Sequence, residues 1–127
     1  MKKVNGNIFI ATGVGHVLLG ISPFAFGLQF SRFSENYFFK ISEGLSEFPL
    51  LNGVMDYEGF AAFWFVYFGL LLIPIGLLVK FLEQENLLIP KSFQITYLLV
   101  ALIGVYMIPF SGMTFIMLPH ALYLFKK

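Results

Sequence analysis

Apolar residues gather in four blocks along the chain, at 8–29, 60–82, 93–109 and 112–125, and polar residues collect between them. The first two blocks hold the roughly 20 residues that an α-helix needs to cross a hydrocarbon core about 30 Å thick. Lys80, Glu83, Gln84, Glu85 and Asn86 form a polar turn after the second, and Pro109-Phe110-Ser111-Gly112 is a turn without charge between the last two. The fourth block is short. At 1.5 Å per residue it covers only about 20 Å, so it requires a thinned bilayer, snorkelling by Lys126 and Lys127, or a re-entrant path. The pattern predicts an all-α fold, an integral membrane four-helix bundle in which residues 1–127 form a single transmembrane domain.

The interval 30–58 is the only long polar stretch. It carries Arg32, Glu35, Lys40, Glu43, Glu47, Asp56 and Glu58. Phe38, Ile41, Leu45 and Phe48 step by three and four, the period of an amphipathic helix, before Pro49 and Asn52-Gly53 end it. An amphipathic segment lying at the membrane surface is expected here. Lys2 and Lys3 ahead of the first block, with Ala25-Phe26-Gly27 behind, resemble a signal peptide, but the apolar stretch is longer than the usual ~7–15 residues. It is read as a retained helix.

Composition strengthens the membrane reading. Apolar residues make up 58% and charged residues 12%, against about 45–50% and about 25% in soluble domains. Mean hydropathy is +0.83. Too few polar side chains remain to cover a core of this size, so lipid must solvate much of the exterior. A net charge of +1 without any basic run excludes nucleic acid as an expected partner. The absence of cysteine removes disulfides, thiol chemistry and iron–sulfur ligation. The scarcity of Arg and Trp beside abundant Lys, Asn, Ile and Phe suggests an AT-rich bacterial genome.

Lys and Arg in short loops set orientation. Lys2, Lys3, Lys80, Lys91, Lys126 and Lys127 fall on one side, and Arg32 and Lys40 on the other. The bias predicts a multi-pass protein of the inner (plasma) membrane with both termini cytoplasmic and the amphipathic segment extracytoplasmic.

Gly13, His16, Gly20, Pro23 and Gly27 step by three and four and form one stripe on the first predicted helix; Ala62, Gly69 and Gly76 repeat by sevens on the second. Small residues let helix backbones approach in lipid. The stripes therefore serve packing, or else leave a cavity for a ligand between the two helices. Phe60, Phe63, Trp64, Phe65, Tyr67 and Phe68 crowd the start of the second helix. An interfacial aromatic belt accounts for Trp64 and Tyr67 better than a ligand cage does.

His16 and His120, the two histidines, lie inside apolar blocks, at depths of roughly 15 Å and 9 Å from the cytoplasmic ends. If the first and fourth helices are neighbours, as in an up-down bundle, the imidazoles could approach. Polar groups at this depth usually face a bundle interior. A structural hydrogen bond is the first reading, followed by contact with a lipid-like or quinone-like head, axial haem ligation and proton relay. Two histidines without carboxylates make an incomplete metal site, so no metal is expected. Glu58 stands at a helix N-terminus as a cap and is placed to pair with Arg32. No second carboxylate falls within an expected span, which argues against proton-coupled export. Walker, GxSxG and HExxH motifs are absent, and catalytic residues are not assigned.

The run Gly13–Gly20 with its single His, then Ala61-Ala62-Phe63-Trp64-Phe65 leading to Gly69, then Pro109-Phe110-Ser111-Gly112 and Pro119, resembles an uncharacterised family of small four-helix bacterial membrane proteins. The resemblance covers nearly the whole chain, implies four spans and carries no activity. Short DoxX-like proteins share the size and layout without a residue match. The expected function is binding of a lipid-like or other hydrophobic small molecule between the helices, with His16, His120, Trp64, Glu58 and Arg32 as candidate ligand-binding residues. The alternatives are a haem- or quinone-binding redox protein, a small transporter built as a homo-oligomer, and an accessory subunit that uses its acidic loop. The cofactor is left open, and membrane lipid is the expected partner.

Overall fold

In the computed structural model, residues 4–35, 50–51 and 54–125 are described. The elements are α1 (Asn5–Ile21), α2 (Gly27–Phe33), β1 (Leu50–Leu51), β2 (Val54–Met55), α3 (Tyr57–Gln84), α4 (Lys91–Met107) and α5 (Leu118–Phe125). A π turn, Met113–Met117, leads directly into α5. The chain is predominantly helical. Among the described residues, α3 alone is long and apolar enough to cross a membrane; α1, α4 and Met113–Phe125 are shorter apolar helices.

The first apolar block is not one helix. Pro23 offers no N–H and disfavours helical backbone at Ser22. Ser22 Oγ donates to the Leu19 carbonyl, and the Ser22 carbonyl accepts from Ala25 and Gly27 N–H. A Cβ at position 27 would lie 2.6 Å from the Ser22 oxygen, so the turn requires glycine there. Pro23 therefore belongs to a turn and Gly27 opens α2, and only Gly13, His16 and Gly20 of the expected stripe share α1.

Helix α3 starts three residues before the expected boundary. Asp56 Oδ1 accepts from the Gly59 N–H at 3.0 Å, making Asp56 the N-cap, an interaction worth about 1 kcal/mol. The capping role expected of Glu58 belongs to Asp56. At the other end α3 runs two residues further than expected. Asn86 adopts φ 57°, Asn86 N–H bonds the Glu83 carbonyl and Leu87 N–H bonds the Leu82 carbonyl. This is a left-handed cap with asparagine in the place glycine usually takes.

Pro109 limits α4 in the same way that Pro23 limits α1: Ile108 is extended at φ −138°, and the helix stops at Met107. Pro119 cannot donate to the carbonyl four residues back. The preceding turn widens, and Leu118 N–H reaches Met113 O. β1 and β2 pair antiparallel, with Leu50 opposite Met55 and Leu51 opposite Val54. The amphipathic helix expected over 38–48 lies outside the described residues.

Contacts divide the chain into two units, Met1–Thr12 with Pro74–Lys127, and Gly13–Ile73. The division in α3 falls at Pro74, where a missing N–H interrupts the helical ladder. In the first unit α4 packs on α5 and on the π turn, and its core holds Phe9, Val79, Tyr97, Ala101, Met117, Ala121 and Leu124. In the second, Ala62, Val66 and Leu72 are buried. Outside these cores the surface is apolar: Phe24, Leu88, Tyr106 and Phe110 are each at least 85% exposed.

Candidate functional site

Within the Gly13–Ile73 unit, α1 and α3 meet backbone to backbone. A Cβ on Gly13 would lie 2.6 Å from the Gly69 carbonyl, and one on Gly69 would lie 2.9 Å from both the Gly13 carbonyl and the His16 Cβ. There is no room for a methyl group at this crossing. The small residues serve close packing here, not the ligand cavity considered as their alternative role.

His16 sits one turn further along α1. Its Nδ1 lies 2.9 Å from the Phe65 carbonyl. Because a carbonyl only accepts, Nδ1 carries the proton and donates. The imidazole also stacks on the Phe65 ring at 3.8 Å between centroids and meets Phe68 edge-on. His16 thus fixes one face of α1 against α3, the structural role considered first for it.

Arg32 and Glu58 form the expected ion pair at 3.1 Å. Their side chains are 45% and 70% exposed, so the pair contributes between about 0 and 1 kcal/mol. Trp64 is 58% exposed and packs edge-on against Phe63 and Tyr67. Arg32, Glu58 and Trp64 thus lie on the surface of their unit.

The richest polar cluster lies in the other unit, and sequence reasoning placed only one of its members. Helix α1 begins with Val4 ahead of it, a residue with no side-chain acceptor, so its first N–H groups need a partner from elsewhere. Glu83 supplies it. Oε1 accepts from Asn5 N at 3.2 Å and from Asn5 Nδ2 at 2.7 Å, and Oε2 accepts from Gly6 N at 3.1 Å. An anion here also meets the positive end of the α1 dipole. The approach depends on glycine: a Cβ on Gly76 would lie 2.8 Å from both Gly6 O and Ile10 N, and one on Gly6 would collide with the Lys80 backbone.

Beside this cap, Phe9 packs on Phe93, Tyr97 and His120, with ring centroids 6.0, 4.9 and 4.8 Å away. The Tyr97 hydroxyl lies 3.1 Å from His120 Nδ1. Asn5 is 2% exposed and His120 5%. Asn5 Oδ1 and His120 Nε2 are buried with no hydrogen-bond partner among the described residues. Buried polar atoms are almost always paired, so two orphans in one cluster are unusual.

Each histidine is thus engaged inside its own unit. Glu83, assigned from sequence to a polar turn, is a helical residue with a fully engaged carboxylate. The two extra residues of α3 make Glu83 helical, one residue beyond the 60–82 boundary expected for that block. One sequence signal pointed to it. Glu83 stands near the C-terminal end of its own helix, where the dipole disfavours an acid, and a local misfit of that kind implies a partner elsewhere. Asn5 and Tyr97 carried no comparable signal.

No curated protein and no solved structure matches this chain. One family model does match it, over residues 1–127. It bears out the expected membership of a family without a known activity, and the chain belongs to the family of unknown function DUF6463.

Proposed function

We propose that this protein is a small four-span protein of the plasma membrane that binds a hydrophobic small molecule by its polar head, at the cluster of Asn5, Glu83, Tyr97 and His120. The apolar exterior supports membrane burial: side chains such as Leu18, Leu78, Ile103 and Phe115 are more than half exposed, and surface of this kind is covered by lipid or by a partner. Helix α3 is long enough to cross a bilayer. The 17-residue helices α1 and α4 reach about 25 Å, which a modestly thinned bilayer accommodates.

The observation that carries the ligand reading is the pair of buried unpartnered atoms, Asn5 Oδ1 and His120 Nε2. Leaving such an atom unpaired costs about 1–3 kcal/mol, which a bound polar head would recover. Phe9, Phe93 and Tyr97 provide an apolar surround for the rest of the molecule. Native mass spectrometry of the full chain released from mild detergent is expected to show a bound mass that His120→Phe loses while its helicity is kept. A bare wild-type chain would end the reading.

The topology has its own test. The chain contains no cysteine, so single replacements report cleanly. Glu47→Cys is expected to react with a membrane-impermeant maleimide added to intact cells, and Lys3→Cys only after lysis. The reverse pattern would invert the orientation, and labelling of both from outside would refute it.

A further inference from the structure

The same cluster specifies the kind of head group, an inference that rests on the ligand-binding reading above. Glu83 fixes the orientation of the Asn5 amide. An ionised carboxylate accepts and cannot donate, so Nδ2 faces Oε1 and Oδ1 is left as the free end. Asn5 Oδ1 therefore requires a donor.

His120 is oriented by Tyr97. The Tyr97 hydroxyl is itself buried, and its proton has no other acceptor among the described residues. Donation from Tyr97 to Nδ1 uses both that proton and the Nδ1 lone pair. The opposite tautomer would leave the hydroxyl proton stranded. The imidazole proton then sits on Nε2, which requires an acceptor. The cluster offers one acceptor and one donor, both 95% or more buried by residue.

We infer that the head group taken by the Asn5–His120 cluster is a hydroxyl, as in a long-chain alcohol or a quinol, and not a carbonyl or an ether. A hydroxyl has the one donor that Asn5 Oδ1 requires and the acceptor lone pairs that His120 Nε2–H requires. A carbonyl or ether accepts from Nε2–H but brings no proton for Asn5 Oδ1. An oxidised quinone is disfavoured on the same ground. Water has the same hydrogen-bonding chemistry as an alcohol, and the test separates the two.

The chain has two histidines, so the full-length protein labelled with ¹⁵N-histidine gives a simple long-range nitrogen spectrum in which His16 serves as an internal control. Decan-1-ol is expected to shift the His120 ring nitrogens saturably. Its half-point should lie about tenfold or more below that of 1-methoxydecane, the difference one buried hydrogen bond makes. The His16 signals should stay in place. Equal half-points would overturn the hydroxyl preference and leave ligand binding standing. If neither compound moves His120, the inference falls, and the native mass measurement decides separately whether the ligand reading falls with it. A cross-peak from Nε2–H to a long-lived water that persists at saturating decan-1-ol would also overturn it, by assigning the hydroxyl oxygen to buried solvent.

Discussion

Replacing Glu83 with alanine is expected to destabilise the folded protein by roughly 2–4 kcal/mol, because it removes a half-buried charged group that accepts three hydrogen bonds. The side chain accepts from Asn5 N, Asn5 Nδ2 and Gly6 N, and hydrogen bonds to a charged group contribute about 1.5–3 kcal/mol each. The sum is discounted because the first N–H groups of α1 would find water after the change. Glu83→Gln should recover less than half of the loss. Its amide presents one oxygen to three donors and turns its own N–H groups toward them. The measurement is reversible unfolding by SDS titration, followed by far-ultraviolet circular dichroism. A loss below about 1 kcal/mol for Glu83→Ala would mean that α1 is capped by something other than this carboxylate.

The second large effect is a contrast of sign between glycines. Gly76→Ala is expected to cost about 1–3 kcal/mol, because its Cβ would meet the Gly6 carbonyl and Ile10 nitrogen, which are backbone atoms and cannot rotate away. Gly69→Ala should behave in the same way against Gly13 O. Gly15→Ala is expected to stabilise by about 0.5–1 kcal/mol, since nothing lies within 4 Å of its added Cβ and alanine favours helix. The three variants belong in the same SDS titration. If all three stabilise, the close approach of α1 and α3 is wrong; if all three destabilise, helix propensity is not what Gly15 limits.

Both predictions concern α1 and α3, the helices whose small-residue stripes were visible in the chain. The spacing of Ala62, Gly69 and Gly76 by sevens showed that one face of α3 would be approached closely. It did not show whether backbone or a ligand would fill that space. Gly13 and Gly69 answer the question at their crossing, where a carbonyl occupies the position a methyl group would take. Proline explains most of the boundary differences. Pro23, Pro109 and Pro119 each lack the N–H that continues a helix, and each coincides with a break, a stop or a π turn. Their exact effects depend on local hydrogen bonds such as Ser22 Oγ to Leu19 O, which hydropathy does not register.

The candidate site was less legible. His16 and His120 stood out because a histidine in an apolar block is rare, and both do make specific contacts. Arg32 and Glu58 pair as their positions suggested, but at the surface. Asp56 was read as one acid in a polar interval, and it is the cap that starts α3.

The amino-acid sequence alone determined that this chain is helical, apolar on its outside, interrupted at Pro23 and Pro109 and a member of DUF6463. Those properties follow from hydropathy, helix periodicity and ring chemistry, all of which act within a few residues. Only the tertiary structure decided that Glu83 caps a helix beginning 78 residues earlier, and that Asn5 Oδ1 and His120 Nε2 are left without partners. Such a pairing depends on two backbones approaching at Gly6 and Gly76. No local preference encodes it, because the donors and the acceptor become neighbours only after the helices have packed.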